Sequence, residues 1–341
     1  MKRHGVMVLG LLSCTRVQAQ PTPGAPPPTA VAPAPVATAL SRFPEFPAAP
    51  SGAVGEGFRA RWGDGRAELT SYDAVVPRYG ERRSAELVLI YVTEPLDRAT
   101  WVKDDDAPPE RRVEALKLNQ SLKFTTGLYP YSVLTSVFAP VDRWRSEAFA
   151  PVKLTLTAQE WCGHVFQGVW PGAERFNTQW FSYFAGEGEG SATVTVRPGG
   201  LYEDALLIQL RELDGPFNGG RDWAGELVPT LWRSRRTHQP YRPAPATISR
   251  TRGEASGSPV HRFVVVSGDY RRELTVEADG DHRVLGWSTS DGEVVSLRRT
   301  ARLPYWQLNH ESDAPARATL GLDLGPPAPD APPGPGARVG F

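Results

Sequence analysis

This chain has few of the residues on which disulfide-stabilised, metal-binding and nucleic-acid-binding proteins depend. Its 341 residues include only two cysteines, Cys14 and Cys162, and six histidines scattered along the sequence. A mature protein in which Cys14 is removed or lipidated cannot form an internal disulfide. The 38 basic and 38 acidic residues give a formal net charge of zero. We therefore expect no nucleic-acid partner and no general attraction to anionic membranes.

The sequence also lacks the common catalytic and cofactor motifs. It contains no His-Glu-x-x-His, paired-cysteine, Gly-x-Ser-x-Gly, P-loop or dinucleotide-binding pattern. The acidic stretches Asp104–Asp106 and Asp279–Asp281 are typical of solvated turns rather than calcium loops. The sequence therefore predicts no metal and no cofactor, and it favours a non-enzymatic function.

The N-terminus has the pattern of an export signal. Lys2 and Arg3 precede the apolar run Gly5–Leu12. Two cleavage sites fit: a lipoprotein-type site before Cys14, which would then be lipidated, and an ordinary site after Ala19. No other stretch has the roughly 18 apolar residues needed to span a bilayer. We expect an exported protein, periplasmic or an outer-membrane lipoprotein, with membrane association only through an N-terminal lipid.

Composition divides the rest of the chain into three parts. After the signal peptide (1–19), residues 20–57 are rich in Pro and Ala and predict an extended tether. Residues 311–341 are rich in Pro and Gly and predict a disordered tail. Between them, residues 58–310 predict a single β-rich domain, which we expect to be a monomer.

Strand patterns dominate this domain. Residues 219–258 lack a clear pattern, so we expect irregular structure there with one or two short strands, and a solvated cluster at Arg233, Arg235 and Arg236. One helix is predicted at Tyr202–Leu213, where leucines recur at helical spacing before Gly215 and Pro216. Period-two runs of β-branched and aromatic residues, bounded by Gly and Asp, predict strands at Ala67–Ala74, Ala85–Glu94, Ala192–Arg197, His261–Val266, Arg271–Glu277, Arg283–Ser288 and Val294–Arg299. Val113–Phe124 fits either a short amphipathic helix or a strand, and its alternating leucines favour a strand.

These patterns together predict a mainly β protein. The expected architecture is a curved antiparallel sheet, either half-barrel or sandwich-like, with one short helix. The last four predicted strands form a meander, because tight Gly- and Asp-containing turns separate them.

The stretch Val152–Trp170 contains the one cysteine of this domain. With the two-residue period of a strand, Leu154 and Leu156 share one face, which continues through Glu160, Cys162 and His164. Two interpretations are open. Either one long strand runs from a packed core into a polar cavity, or a bulge near Gly163 changes its register.

Glu160, Cys162 and His164 are the candidate catalytic residues. Residues two apart on a strand are roughly 6.5 to 7 Å apart, so Cys162 and His164 need a bulge or a partner strand to form a hydrogen bond. A buried cysteine beside a hydrogen-bonded His and Glu is the alternative. The spacing favours this structural role over a cysteine hydrolase.

Aromatic residues are concentrated around the same stretch. Aromatic rings stack on flat ligands, and they also fill β-cores. If the domain has a ligand groove, we expect it here. The predicted ligand-binding residues are Tyr129, Tyr131, Trp161, Trp180 and Tyr183.

Three stretches resemble a family of uncharacterised exported bacterial proteins, some of which carry the label septum formation inhibitor Maf. They are Glu68–Glu94, Lys117–Pro140 and Thr157–Gln167. The glycine-rich opening and α/β alternation of the Maf nucleotide pyrophosphatases are missing, so the resemblance does not imply that activity. The late meander is also similar to exported β-proteins of the lipoprotein-carrier type, whose concave sheet takes an acyl chain. This second resemblance concerns the fold, which does not determine function.

The preferred function is binding of a hydrophobic or amphipathic ligand, or of a protein partner, on a concave sheet in the cell envelope. Lipid, glycan and envelope protein are the partners considered. The alternatives are an exported hydrolase using Cys162 and His164, and a structural surface protein.

Overall fold

A computed structural model describes residues 43–44, 46–145 and 148–323. The predicted export signal, Cys14, most of the Pro/Ala tether and the last part of the predicted tail lie outside the described residues.

The protein is mainly β, as predicted, and its strands form one curved, open sheet. The first nine strands are β1 Ala67–Arg78, β2 Glu81–Asp97, β3 Val102–Lys103, β4 Arg112–Thr126, β5 Tyr129–Pro140, β6 Lys153–Glu160, β7 Gly163–Pro171, β8 Arg175–Ser182 and β9 Glu189–Thr195. The remaining strands are β10 Leu201–Tyr202, β11 Trp223–Val228, β12 Ala244–Ala255, β13 Ser258–Ser267, β14 Tyr270–Glu277, β15 Val284–Thr289 and β16 Val294–Leu303.

Neighbouring strands in the sheet are mostly neighbours in sequence. The order is β10-β11-β12-β13-β14-β15-β16-β1-β2-β4-β5-β6-β7-β8-β9, with β3 paired to β2 beside this path. All pairs are antiparallel except β10–β11. The two edge strands, β9 and β10, are joined by residues 196–200 without pairing to each other, so the sheet curves strongly but does not close.

The concave face holds the main core. On β1 the alternate residues Tyr72, Ala74 and Val76 are buried, as expected for a strand with one apolar face. Two helical segments pack into the concavity: helix α1 (Glu56–Trp62), and a 3₁₀ turn at residues 203–205 that continues into helix α2 (Leu206–Gln209).

The helix predicted at Tyr202–Leu213 is therefore present but shorter. Leu206, Leu207 and Ile208 are all buried, so the sheet and the other segments packed on it enclose this segment. A segment enclosed in this way has no face in contact with water. One helical turn is therefore enough to place its side chains in the core.

A third helix, α3 (Leu231–Thr237), lies in the segment that we expected to be irregular. The side chain of Thr230 caps it by accepting a hydrogen bond from the Arg233 backbone N–H at 3.0 Å. The same segment contains β11 and the long strand β12. The prediction of one or two strands there is confirmed in number, but β12 is longer than expected, because Pro and Arg residues hide its period-two pattern.

The stretch Val152–Trp170 forms a hairpin, so both of our interpretations of it as one strand were wrong. Strands β6 and β7 pair from Leu154 with Val169 to Glu160 with Gly163, and Trp161-Cys162 is the turn. Leu154 is buried as predicted. Reversal of the chain after Glu160 separates Cys162 and His164 from the apolar row, whereas Glu160 stays on the face of Leu154.

The convex face is covered in part by the ends of the described chain. Before α1, Phe46 packs edge-on against Trp101 with ring centroids 4.6 Å apart. After β16, a 3₁₀ helix at Glu311–Leu320 buries Leu320 against β1, where the Ser71 hydroxyl donates a hydrogen bond to its carbonyl. The folded region thus extends beyond the predicted boundaries 58 and 310 at both ends.

Candidate functional site

Four hairpin turns lie at the same end of the sheet. In an antiparallel meander every second connection is at the same end. The turns after β1, β4, β6 and β8 are therefore neighbours. They carry a set of apolar and aromatic side chains that we call the aromatic rim, consisting of Tyr79, Leu128, Tyr129, Trp161 and Tyr183.

The aromatic rim is continuous from turn to turn. The rings of Tyr129 and Trp161 are stacked, with centroids 6.3 Å apart, and the hydroxyls of Tyr129 and Tyr79 are 3.5 Å apart. Tyr183 lies against the Gly163 backbone so closely that a Cβ at residue 163 would be 2.6 Å from its ring. Gly163 is thus the residue that lets the tyrosine after β8 pack against the β6–β7 hairpin.

Side chains of the aromatic rim are unusually exposed for their type. The exposed fraction is 79% for Leu128, 67% for Trp161, 62% for Tyr183 and 57% for Tyr79. Apolar groups exposed together on one surface are a frequent sign of an interaction site.

Below the aromatic rim, Arg78 joins two tyrosines to helix α3. Its guanidinium donates to the hydroxyls of Tyr79 and Tyr131, each at 3.3 Å, and to the carbonyl of Arg236 at 3.1 Å. The two hydroxyls are 2.7 Å apart. Burial alone would raise the pKa of Tyr79, but hydrogen bonds with neighbouring tyrosines and with Arg78 hold it below its ordinary value.

The structure brings together three of the five predicted ligand-binding residues. Tyr129, Trp161 and Tyr183 belong to the aromatic rim. Tyr131 is buried beneath it. Trp180 lies apart, half-buried over Gly190, and its indole N–H donates to the carbonyl of Glu187 at 3.1 Å.

Helix α3 lies beside the aromatic rim, over the concave face. Two buried carboxylates of the interior hold its first turn: Asp204 accepts a hydrogen bond from the Leu231 N–H at 2.8 Å, and Glu203 accepts one from the Thr230 N–H at 3.3 Å. Desolvation raises the pKa of Asp204 to about 7. The first turn of α3 is thus fixed from inside the protein.

The last turn of α3 is held from outside, by ion pairs. Arg235 pairs with Glu187 of the β8–β9 connection, and Arg236 pairs with Asp291 of the β15–β16 turn. His238 Nδ1 is 2.7 Å from the Glu187 carboxylate. Burial alone would raise the pKa of both carboxyls, but their hydrogen bonds and the guanidinium groups hold it below the ordinary value. The expectation that this arginine cluster is merely solvated was wrong.

Two cavities lie beneath α3. The larger one, about 40 Å³, has walls that include Leu122, Val133 and Trp287. The indole N–H of Trp232 and the side-chain amide nitrogen of Gln120 line the same cavity and are buried without a hydrogen-bond partner in the described structure. A smaller cavity, about 10 Å³, lies between α3 and the aromatic rim.

The candidate catalytic residues do not form a catalytic arrangement. Residues 159 and 164 are paired in the hairpin, as are 160 and 163, so His164 and Glu160 point to opposite faces of the sheet. Cys162 is exposed in the turn, and its backbone N–H donates to Glu160 at 2.7 Å. A hydrogen bond from the Cys162 thiol to the Glu160 carboxylate, together with the negative charge of Glu160, raises the pKa of the thiol, which disfavours the thiolate that a nucleophile requires.

No helix in the described ranges is long and apolar enough to cross a membrane. In the same part of the chain, no group of three or more His, Cys, Asp or Glu residues is placed to hold a metal ion.

No protein-family model, curated protein or solved structure matches this chain. The resemblance to exported bacterial proteins and to lipoprotein carriers therefore stays a prediction.

The sequence reasoning missed several residues of this region. Tyr79, Leu128 and Trp232 were not singled out, and Arg235 and Glu187 were not expected to meet. A large apolar residue beside a turn glycine, as in Tyr79-Gly80, was the available signal for the aromatic rim. No local signal connects Arg235 to Glu187, because the two residues are 48 positions apart in sequence.

Proposed function

We propose that this protein is a non-enzymatic binding protein that takes up a hydrophobic or amphipathic ligand on the concave face of its sheet, beneath helix α3. Export to the cell envelope, with or without lipidation at Cys14, is part of this proposal and rests on the N-terminal sequence.

The larger cavity beneath α3 is the observation that carries the proposal. Its walls are mainly apolar, and the unpartnered donors on Gln120 and Trp232 would match acceptor oxygens of a ligand. Ligand sites commonly combine apolar walls with a few directed polar groups. An acyl chain ending in a carboxylate, ester or hydroxyl group has this chemistry.

Uptake of an acyl chain requires α3 to move, because a volume of about 40 Å³ holds only a few atoms. The contacts that this movement breaks at the last turn of α3 are two ion pairs. Arg235 and Arg236 pair with carboxylates on two different turns, Glu187 and Asp291, and both arginine side chains are 10% exposed. Opening of α3 brings these charged groups into water, and their hydration offsets part of the attraction that is lost.

Replacement of one valine tests the ligand site. Val133 lines the cavity, whereas Leu134 is the next residue on β5 and points to the convex face with 40% of its surface exposed. We expect the full chain to bind a fluorescent fatty-acid analogue, Val133→Phe to weaken binding at least about tenfold, and Leu134→Phe to leave it unchanged. Circular dichroism and thermal unfolding would verify that both variants fold.

Two results would contradict the proposal. One is absence of uptake by the unmodified protein, both of the fatty-acid analogue and, by native mass spectrometry, of co-purified lipid. The other is equal binding by the two variants, which would place the ligand away from the cavity.

A further inference from the structure

Most of the strongly exposed aromatic side chains of the described residues lie at one end of the protein, whereas Trp306, 44% exposed, lies at the other end. At the opposite end, Trp101 and Trp170 are covered by Phe46 and Phe43, in contacts with ring centroids 4.6 and 5.9 Å apart. The turns there carry charged residues instead, as in Asp104–Asp106. The exposure of the aromatic rim is therefore a property of one end and not of the hairpin turns in general.

The aromatic rim protrudes and does not form a groove. Leu128 and Trp161 stand at the tips of two neighbouring hairpins, and a Cβ added at Gly127 would meet no atom within 4 Å. Small-molecule sites are concave and bury most of the ligand. Protruding apolar side chains can instead insert into a deformable surface such as a lipid layer.

The residue types of the aromatic rim indicate which kind of surface it contacts. Trp and Tyr are enriched where membranes meet water, because their rings have an apolar body and a polar group that stays hydrated. The Tyr79 hydroxyl is 2.7 Å from that of Tyr131 and 3.5 Å from that of Tyr129, and Leu128 contributes a purely apolar tip. A bilayer interface accommodates both the polar groups and the apolar parts of these side chains.

Charge around the aromatic rim is balanced. The exposed charged residues at the adjoining strand ends are Glu81 and Arg82 on β2, Lys123 on β4 and Glu189 on β9. Two of them are basic and two acidic, so this end has no electrostatic preference for anionic lipid. A zwitterionic lipid surface is the matching partner.

The first residue that the structure describes lies far from the aromatic rim. Phe43 packs on Trp170 at the opposite end of the sheet. The Pro/Ala-rich sequence between Cys14 and Phe43, if extended, would reach roughly 90 Å at about 3.1 Å per residue. The longest strand, β2, spans roughly 55 Å at about 3.3 Å per residue. An N-terminal anchor would therefore allow the aromatic rim to meet either the same membrane or another one.

From these observations we infer that the aromatic rim inserts into the interfacial layer of a zwitterionic phospholipid bilayer. This inference does not depend on the ligand cavity, since docking by the tips of the hairpins requires no movement of α3.

Sedimentation with phosphatidylcholine vesicles tests the inference in the full chain carrying Cys14→Ser. The chain offers a matched control, because Trp306 and Leu308 are 44% and 37% exposed on the 3₁₀ turn beyond β16, at the other end of the sheet. We expect Trp161→Ser with Leu128→Ser to lower the partition coefficient at least about tenfold. Trp306→Ser with Leu308→Ser should leave it unchanged.

Salt provides a second readout. Insertion of uncharged side chains should be the same at 0.1 M and 0.5 M NaCl, to within about twofold, since screening acts only on charges. Equal binding by the two double variants would assign vesicle binding to another segment and overturn the inference. Binding that requires anionic lipid and is lost at high salt would overturn it as well. Fatty-acid uptake by the Trp161→Ser, Leu128→Ser protein should be retained, which separates this test from that of the ligand cavity.

Discussion

Arg211 and Glu68 form an ion pair in the interior of the protein. Arg211 Nη1 is 2.9 Å from Glu68 Oε1, and the two side chains are 0% and 1% exposed. The guanidinium also donates to the carbonyls of Asp281 and His282, each at 2.9 Å, and lies 4.4 Å from the ring of Tyr91. This arginine connects the α2 segment to the concave face of β1 and to the β14–β15 turn.

Removal of one partner of this ion pair should lower the stability of the protein. Arg211→Met leaves the Glu68 carboxylate buried without its main cation, and we expect the free energy of unfolding to fall by about 3–5 kcal/mol. The double variant Arg211→Met, Glu68→Leu should be more stable than this single variant, because no charge is left unpaired. Urea unfolding followed by tryptophan fluorescence measures the free energy of unfolding of both variants.

An exposed pair is the control for this prediction. Arg298→Met breaks the surface contact with Asp73 and should change the free energy of unfolding by less than about 1 kcal/mol. A double variant that is less stable than Arg211→Met would contradict the assignment of the loss to an unpaired charge.

Asp204 should make stability depend on pH. Its pKa is raised from 3.8 to about 7, mainly by desolvation. Between these values the unfolded chain releases this proton and the folded protein keeps it, so stability contributed by the protonated form is lost as the pH rises from about 4 to 7. Asp204→Asn removes the titration and should be more stable than the parent at pH 8.

At pH 8, Asp204→Asn should raise the free energy of unfolding by at most about 4 kcal/mol, at about 1.4 kcal/mol per pKa unit. This gain in stability should shrink toward pH 5. Urea unfolding at the two pH values measures it. The asparagine oxygen can still accept the hydrogen bond from Leu231, so loss of that contact is not expected. A variant equally stabilised at both pH values, or destabilised at pH 8, would show that the buried carboxyl does not keep its proton.

Glu160 should control the reactivity of Cys162. The carboxylate raises the pKa of this exposed thiol, so Glu160→Gln should increase its rate of alkylation by iodoacetamide at pH 7.5 in the native protein. Cys162→Ala should change the free energy of unfolding by less than about 0.5 kcal/mol, as is usual for an exposed position. Equal alkylation rates in the parent and in Glu160→Gln would refute the electrostatic explanation. Strong destabilisation by Cys162→Ala would show that Cys162 is not exposed.

Local sequence patterns were sufficient where neighbours in sequence are also neighbours in the sheet. Strands β13 to β16 alternate apolar and polar residues and are separated by short turns, so both their existence and their order could be predicted. The buried leucines of the α2 segment gave an equally local helical signal. The turn Trp161-Cys162 gave no such signal, because two-residue hairpin turns usually contain Asn or Gly.

The sequence alone determined that the chain is a mainly β protein with a curved antiparallel sheet, and it pointed to Tyr129, Trp161 and Tyr183 as surface aromatic residues. Their position at the same end of the sheet was decided by the tertiary structure, because the strand order brings alternate hairpin turns together there. The same is true of α3, which is held by Asp204, Glu187 and Asp291 from three other parts of the chain. A local pattern reports which face of an element is apolar, whereas the partners of a charged or exposed side chain depend on how distant segments meet.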